Sequence, residues 1–153
     1  MKVLEYYKLE NKEYWLEKIA LSDWGAGKYL YELIKDNQLK KFCGHKTEVL
    51  LLVHEEELFS FCTYAFQDDI NAPDYYPWLG FVYTFPKYRG NRYFGILVKY
   101  ANALAVKDNY KNLYISTNEI GLYEKYGFKF FGKMKDIHND ESLVYIKEVC
   151  AWN

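Results

Sequence analysis

The chain has no surplus of charge of either sign. Twenty Lys and Arg stand against twenty-one Asp and Glu, a formal net charge of -1 over 153 residues, so neither nucleic acid nor an anionic membrane surface is expected as the main partner. Any anion site has to be local. Cysteine is scarce and unpaired: Cys43, Cys62 and Cys150 are odd in number, far apart and free of a CxxC spacing. That excludes a disulfide framework or a zinc site of the usual pattern and fits a reducing compartment, with the three thiols as small hydrophobes. His45, His54 and His138 are scattered, so a metal site or a Ser/His dyad has little support. No segment approaches 18 unbroken apolar residues, and the N-terminal MKVLEYYKLENKEYW has neither an apolar core run nor a small-residue cleavage site; we expect a soluble, cytoplasmic protein with no membrane partner. No repeat, low-complexity tract or linker divides residues 1–153, which are expected to form a single domain.

What is present is apolar and aromatic. Half the residues are hydrophobic and seventeen are tyrosine. The tyrosines fall at strand and helix spacings and are not interleaved with Arg and Lys on one element, so they read as core-edge residues and not as stacking platforms for bases.

The periodicity gives a strand at Val3–Leu9, a helix at Asn11–Leu21 and a second helix, capped by Ser22 or Asp23, whose stripe of Tyr29, Leu30, Leu33, Ile34 and Leu39 runs to Gly44. EVLLLV (Glu48–Val53) and LFSFCTYAF (Leu58–Phe66) make a hairpin around a solvated HEEE turn. QDDINAPDYYP is a loop, and WLGFVYTF (Trp78–Phe85) returns to strand. Asn91–Lys107 carries Tyr93, Leu97, Tyr100 and Leu104 at helical steps, and NLYIS (Asn112–Ser116) completes a strand, helix, strand unit whose strands should be parallel neighbours. A short helix at Ile120–Tyr126 stops at Gly127, and two strands, Phe128–Lys135 and Leu143–Glu148, finish the chain. The order β-α-α-β-β-β-α-β-α-β-β describes a mixed α/β domain with helices on both faces of a twisted sheet.

Between the Trp78–Phe85 strand and the following helix lies a basic turn, Tyr88-Arg89-Gly90-Asn91-Arg92. A helix N-terminus offers free N–H groups to an anion, Gly90 permits positive φ or close approach, and Arg89 and Arg92 add donors suited to phosphate. The spacing is neither a P-loop nor a Rossmann fingerprint. The segment from Phe81 to Gly95, FVYTFPKYRGNRYFG, resembles the acetyl-coenzyme A motif of the GNAT N-acetyltransferase superfamily, a strand leading into Arg/Gln-x-x-Gly-x-Gly/Ala and a helix. Gly121 to Phe128, GLYEKYGF, resembles that superfamily's second signature, Leu-Tyr-x-x-x-Gly-Phe. The two occur in order, one helix and one strand apart, within an element order that spans the chain.

The resemblance implies a GNAT-like α/β (α+β) fold, mostly antiparallel with about seven strands, the fourth splaying from the fifth. It implies that the diphosphate of coenzyme A lies on the turn made by Arg89, Gly90, Asn91, Arg92, Tyr93, Phe94 and Gly95. The pantetheine arm would pair with the backbone of Val82, Tyr83 and Thr84, and Asn118 would join the cofactor set. Tyr123 would act as acid to the leaving thiolate, and an N–H of Val82–Thr84 would hold the oxyanion. One departure stands out: Arg92 and Phe94 occupy the family's small-residue positions. Arg92 is expected to keep a negative φ, and Phe94 to aim into the core.

The implied reaction is attack of a primary amine on the thioester, with no metal. A general base is required, for which Asp68, Asp69 and Glu119 are candidates beside a water relay; turn and helix-cap roles are the simpler explanation of each. A catalytically silent acyl-coenzyme A binding domain is the alternative. The acceptor pocket, expected from the first two helices, the Gln67–Pro77 loop and the last hairpin, has no chemical signature, although Trp24, Tyr75, Tyr76 and Trp78 are available as an aromatic wall for a cation. The acceptor and a homodimer are left open.

Overall fold

The structure, a computed structural model, describes residues 1–151; the last two residues of the expected single domain lie outside the described residues. Its strands are β1 (Lys2–Glu5), β2 (Glu48–His54), β3 (Glu57–Ala65), β4 (Trp78–Thr84), β5 (Asn112–Thr117), β6 (Lys129–Lys135) and β7 (Glu141–Glu148). They form one sheet in the order β1-β2-β3-β4-β5-β7-β6, antiparallel everywhere except between β4 and β5. Helices α1 (Lys12–Ala20), α2 (Gly25–Lys35) and α3 (Leu39–Cys43) precede β2, and α4 (Phe94–Lys107) links β4 to β5. Among the described residues no helix is long and apolar enough to cross a membrane.

The sheet separates two cores, and β2 shows why its sequence lacks alternation. Val49, Leu51 and Val53 pack with Trp15, Ile19 and Leu30 on the α1–α3 side. Leu50 and Leu52 pack with Phe94, Leu97, Val98 and Ala101 of α4 on the other. A strand buried on both faces reads as a continuous apolar run, and each fully buried aliphatic side chain is worth about 1.5–3 kcal/mol.

Several boundaries differ from the expected ones, each for a local reason. The first strand stops at Glu5 instead of Leu9, because the chain turns into a 3-10 segment, Tyr6–Lys8, whose Tyr7 N–H donates to the buried Glu48 carboxylate at 2.9 Å. The helix expected to reach Gly44 is two helices. Asn37 adopts φ +55° after α2, and the Asn37 and Gln38 N–H groups bond back to the Ile34 and Leu33 carbonyls at 3.1 and 2.8 Å, a Schellman ending with asparagine in place of glycine. Neither Ser22 nor Asp23 caps α2: Trp24 holds that position without a side-chain bond, and Asp23 is engaged elsewhere. The last predicted helix is only a 3-10 turn, Tyr123–Tyr126, closed by Gly127 at φ +91°.

Two irregularities set up the site. β4 and β5 pair at one position, Trp78 with Tyr114, supported by Tyr114 N–H to the Pro77 carbonyl at 3.0 Å, and then separate. On its other edge β4 carries an extra residue against β3: Gly80 to Tyr83 spans the step from Thr63 to Phe61. Phe81 sits in this bulge at φ +47°, a strained conformation for a bulky side chain.

Candidate active site

The separation of β4 from β5 opens a cleft of about 1150 Å³. Leu79 to Thr84 form one wall, and Ile115 to Thr117, Glu119, Leu122, Tyr123 and Tyr126 the other. Past Trp78 the β5-facing backbone of β4 has no strand partner among the described residues, so its N–H and C=O groups are available to an extended ligand.

The basic end is the turn before α4. Gly90 adopts φ +88°. The N–H groups of Gly95 and Ile96 bond back to the Arg92 and Tyr93 carbonyls at 3.0 Å each. The preceding amides, those of Arg92, Tyr93 and Phe94, therefore remain for a ligand. Arg92 has φ +55°, which corrects the expected negative value: the backbone keeps the left-handed turn for which glycine is favoured, and arginine tolerates it at about 1–2 kcal/mol. Phe94 is buried as expected, meeting Tyr123 and Tyr126 edge-on at 5.8 and 5.2 Å.

Arg89 is oriented differently from its turn neighbours. Its Nε–H donates to the Thr84 carbonyl at 2.9 Å, its guanidinium lies 5.4 Å from the Tyr83 ring centre, and Nη2 is 4.0 Å from Asp23 Oδ1. The side chain crosses the end of β4 toward the opposite end of the cleft. Asn91 is exposed and bonds the Tyr88 carbonyl at 3.1 Å. Asn118 is exposed and outside the cleft lining, although Thr117 and Glu119 on either side of it belong to that lining. Val82, Tyr83, Thr84, Arg89, Gly90, Arg92, Tyr93 and Phe94 all line the cleft; Gly95 borders a neighbouring groove.

Tyr123 is buried in the β5-side wall. Burial, and then the charges of Cys62, Glu119 and Tyr126, push its phenol up to about 12, so it stays protonated over the working pH range and can donate.

The other end of the cleft is acidic and aromatic. The Tyr83 hydroxyl donates to Asp23 Oδ1 and accepts from the Asp23 N–H at 3.2 Å, and Trp24 stacks on the Tyr83 ring at 5.7 Å and 9°. Tyr29, Phe81, Asp68, Asp69, Ile137 and His138 complete it. The β6–β7 hairpin reaches this end because Ile137 N–H donates to the Asp69 carbonyl at 2.7 Å and Ile70 bridges to Asp136. Of the aromatic quartet expected here, Trp24 lines the cleft; Trp78 is fully buried at its apex, while Tyr75 packs on Tyr114 and Tyr76 on Phe66 and Tyr110.

Sequence reasoning missed a second groove of about 340 Å³ beside the basic turn, lined by Arg92, Lys99, Asn102, Lys125, Tyr126 and Lys147. None of its four cations is in an ion pair among the described residues. Arg92 belongs to the basic turn, but Lys99, Lys125 and Lys147 come from α4, the 3-10 turn and β7, so no local motif marks those three.

The sequence model of the acetyltransferase (GNAT) family matches residues 6–128. The chain belongs to this family. The GNAT match covers both signatures and stops at Phe128, before the last hairpin. No curated protein is significantly similar to the chain in sequence. Solved structures share the GNAT fold at low identity. The aminoglycoside 6'-acetyltransferase type Ii is 16% identical with a TM-score of 0.68, covering 98% of each chain. The aminoglycoside 6'-N-acetyltransferase of Enterococcus faecium is 14% identical with a TM-score of 0.67, again covering 98% of each. A GNAT family acetyltransferase of Elizabethkingia anophelis with acetyl-CoA bound is 16% identical with a TM-score of 0.65, covering 96% of this chain and 97% of that one.

Proposed function

We propose that this chain is a single-domain N-acetyltransferase that moves the acetyl group of acetyl-coenzyme A to a primary amine on a small molecule or peptide. The observation that carries the reading is the parting of β4 from β5 between the α4 turn at one end and the buried Tyr123 in the wall.

The residues present suit the co-substrate. Coenzyme A combines a diphosphate, an extended arm with two amides and a further phosphate on its ribose. The free amides of Arg92, Tyr93 and Phe94 face the place for the diphosphate, helped by the helix dipole. The edge of β4 past Gly80, which no strand pairs on the β5 side and whose Thr84 carbonyl Arg89 holds, supplies donors and acceptors for the arm, as an added strand would use. Lys99, Lys125 and Lys147 offer charge to the remaining phosphate. When bound, acetyl-coenzyme A supplies the thioester carbonyl that a neutral amine attacks.

The chain's own groups then have separate tasks. A β4 amide beside the Phe81 bulge holds the developing oxyanion. Tyr123 O–H hydrogen-bonds the departing sulfur. With its phenol near 12 against about 8.5 for a thiol, this donation stabilises the thiolate more than outright proton transfer does. Arg89, tied to Thr84 and Asp23, steadies the boundary between the two ends of the cleft. Phe94 turned inward and Arg92 in a glycine-like conformation leave the turn open to a ligand.

The test measures free thiol release from acetyl-coenzyme A with a panel of amines, together with mass detection of product and calorimetry of cofactor binding. Amine-dependent release is expected. Tight binding without transfer to any amine would leave the silent acyl-coenzyme A domain as the reading.

A further inference from the structure

An amine of pKa about 10 arrives mostly as ammonium at neutral pH, so the reaction needs a proton acceptor within the cleft. We infer that Asp68 is this general base, and that Gly80 is glycine so that the Asp68 carboxylate can lie against β4; the inference rests on the acetyltransferase reading above.

Three observations separate Asp68 from the other acids. The first is close packing. A methyl group at Gly80 would fall 2.6 Å from Asp68 Oδ1 and 2.9 Å from Thr63 Oγ1, well inside contact distance. Gly80 is not among the residues with left-handed backbone, so its glycine supplies room and not conformational freedom. The carboxylate is thereby fixed on the residue where the bulge of β4 begins, beside the backbone assigned to the oxyanion. The second is the lack of a cation to hold it: its hydrogen-bonding neighbour, Asp69, is itself an acid. Asp68 has no ion pair among the described residues, and the neighbouring Thr63 hydroxyl is fully buried without a hydrogen-bond partner. The two oxygens flank the Gly80 α-carbon, where Asp68 and Gly80 both line the cleft. The third is the surrounding charge. Burial first, then Asp69, push the Asp68 carboxyl up to about 8, which brings its proton affinity close to the working pH.

The ionisable groups around it are Asp69 on its own loop, Cys43 of α3, His138 on the β6–β7 hairpin, and Asp23, Tyr83, Glu119 and Tyr123 around the cleft. Its competitors fit less well. Asp69 is exposed, and its carbonyl anchors the hairpin. Glu119 is exposed at the mouth, in a turn where its N–H donates to Thr117 Oγ1 at 2.9 Å.

The Asp68 carboxylate takes one proton from the acceptor ammonium. The nitrogen lone pair forms the C–N bond while the carbonyl π pair moves to oxygen. On collapse that pair returns, the C–S pair leaves on sulfur beside Tyr123 O–H, and the surplus nitrogen proton neutralises the thiolate. Asp68 then releases its proton to solvent.

The test compares wild type, Asp68→Asn and Gly80→Ala for binding of acetyl-coenzyme A, kcat/KM with an alkylamine and with methoxyamine, which is neutral at pH 7, and Tm against pH. Asp68→Asn should lower kcat/KM for the alkylamine by about 10²–10⁴-fold, far less for methoxyamine, and leave cofactor binding within about twofold. The rise of wild-type rate through pH about 8 should vanish. A carboxyl whose folded pKa is raised contributes stability that is present below its unfolded value and lost as pH rises through about 8. Asp68→Asn should therefore melt higher than wild type at pH 9, which also shows that it folds. Gly80→Ala should move the pH limb and lower turnover while still binding cofactor. An Asp68→Asn variant that binds cofactor and keeps the alkylamine rate and its pH limb would overturn the base role. If wild type binds cofactor but acetylates no amine, the acetyltransferase reading falls and the base role with it.

Discussion

The two ends of the cleft are built by different rules. The basic end is made from contiguous sequence: Arg89 to Gly95 form one turn, and their amides, charges and left-handed residues are fixed by local backbone geometry. The acidic end is assembled from five separate places, the α1–α2 loop with Asp23 and Trp24, α2 with Tyr29, the loop after β3 with Asp68 and Asp69, the β4 bulge at Phe81, and the β6–β7 hairpin with Ile137 and His138. A ligand made of a diphosphate on an extended arm can be recognised by the backbone of one turn and one strand edge. The proposed acceptor end is lined by side chains drawn largely from loops, which tolerate change.

Substitutions can separate the two ends. The largest effect after the Asp68 and Gly80 pair is expected between them, at Tyr123. Tyr123→Phe should lower kcat by about 10²-fold or more while KM for acetyl-coenzyme A changes less than about threefold, measured by steady-state kinetics of thiol release. Because its phenol lies near 12, the wild-type rate should show no alkaline decline from this group below pH about 10; an alkaline limb that Tyr123→Phe leaves in place, with no loss of turnover, would remove its role. Next comes the groove beside the turn. Lys125→Glu with Lys147→Glu should raise KM for acetyl-coenzyme A about tenfold, with a weaker effect at high salt, and should erase any preference over the 3'-dephospho form of the cofactor. An unchanged preference would disconnect the groove from the cofactor. Smaller still, Trp24→Ala should raise acceptor KM about fivefold without altering cofactor binding in calorimetry, since loss of one aromatic contact to a cation is worth about 1 kcal/mol. The smallest change is Arg92→Gly. Relief of the left-handed arginine should stabilise the fold by about 1 kcal/mol, a rise of about 2–4 °C in Tm by calorimetry, while loss of a phosphate donor raises the cofactor KM a few-fold.

How far the sequence could be read follows the same division. The strand, turn and helix from Trp78 to Lys107 were legible because periodicity, Pro86 and Gly90 all act locally, and the parallel β4–β5 relation followed from connection length. Phe94 was placed in the core by its own bulk. The sign of φ at Arg92 was not, because a side chain reports preference, and here the turn overrides it. The split of α2 from α3 was hidden because Asn37 performs a task usually marked by glycine. Asp68, Asp69 and Glu119 stood as equals in sequence; what distinguishes them is the closeness of Asp68 to Gly80, across a loop and a strand, and no linear pattern encodes that. Lys99, Lys125 and Lys147 were invisible for the same reason.

The one rung that joins β4 to β5 at Trp78 and Tyr114 acts as the fulcrum of a pair of tongs. Trp78 is fully buried there and pinned by its indole N–H to the Tyr75 carbonyl at 2.6 Å, so the angle between the jaws is set far from the place where they grip. A change of packing at the fulcrum is carried along β4, which its ladder with β3 holds as one piece from Trp78 to Thr84. The span between Tyr123 and the opposite jaw can thus be retuned by residues that never touch a ligand, which makes the aromatic packing around Trp78 the natural place to adjust reach without rewriting either end.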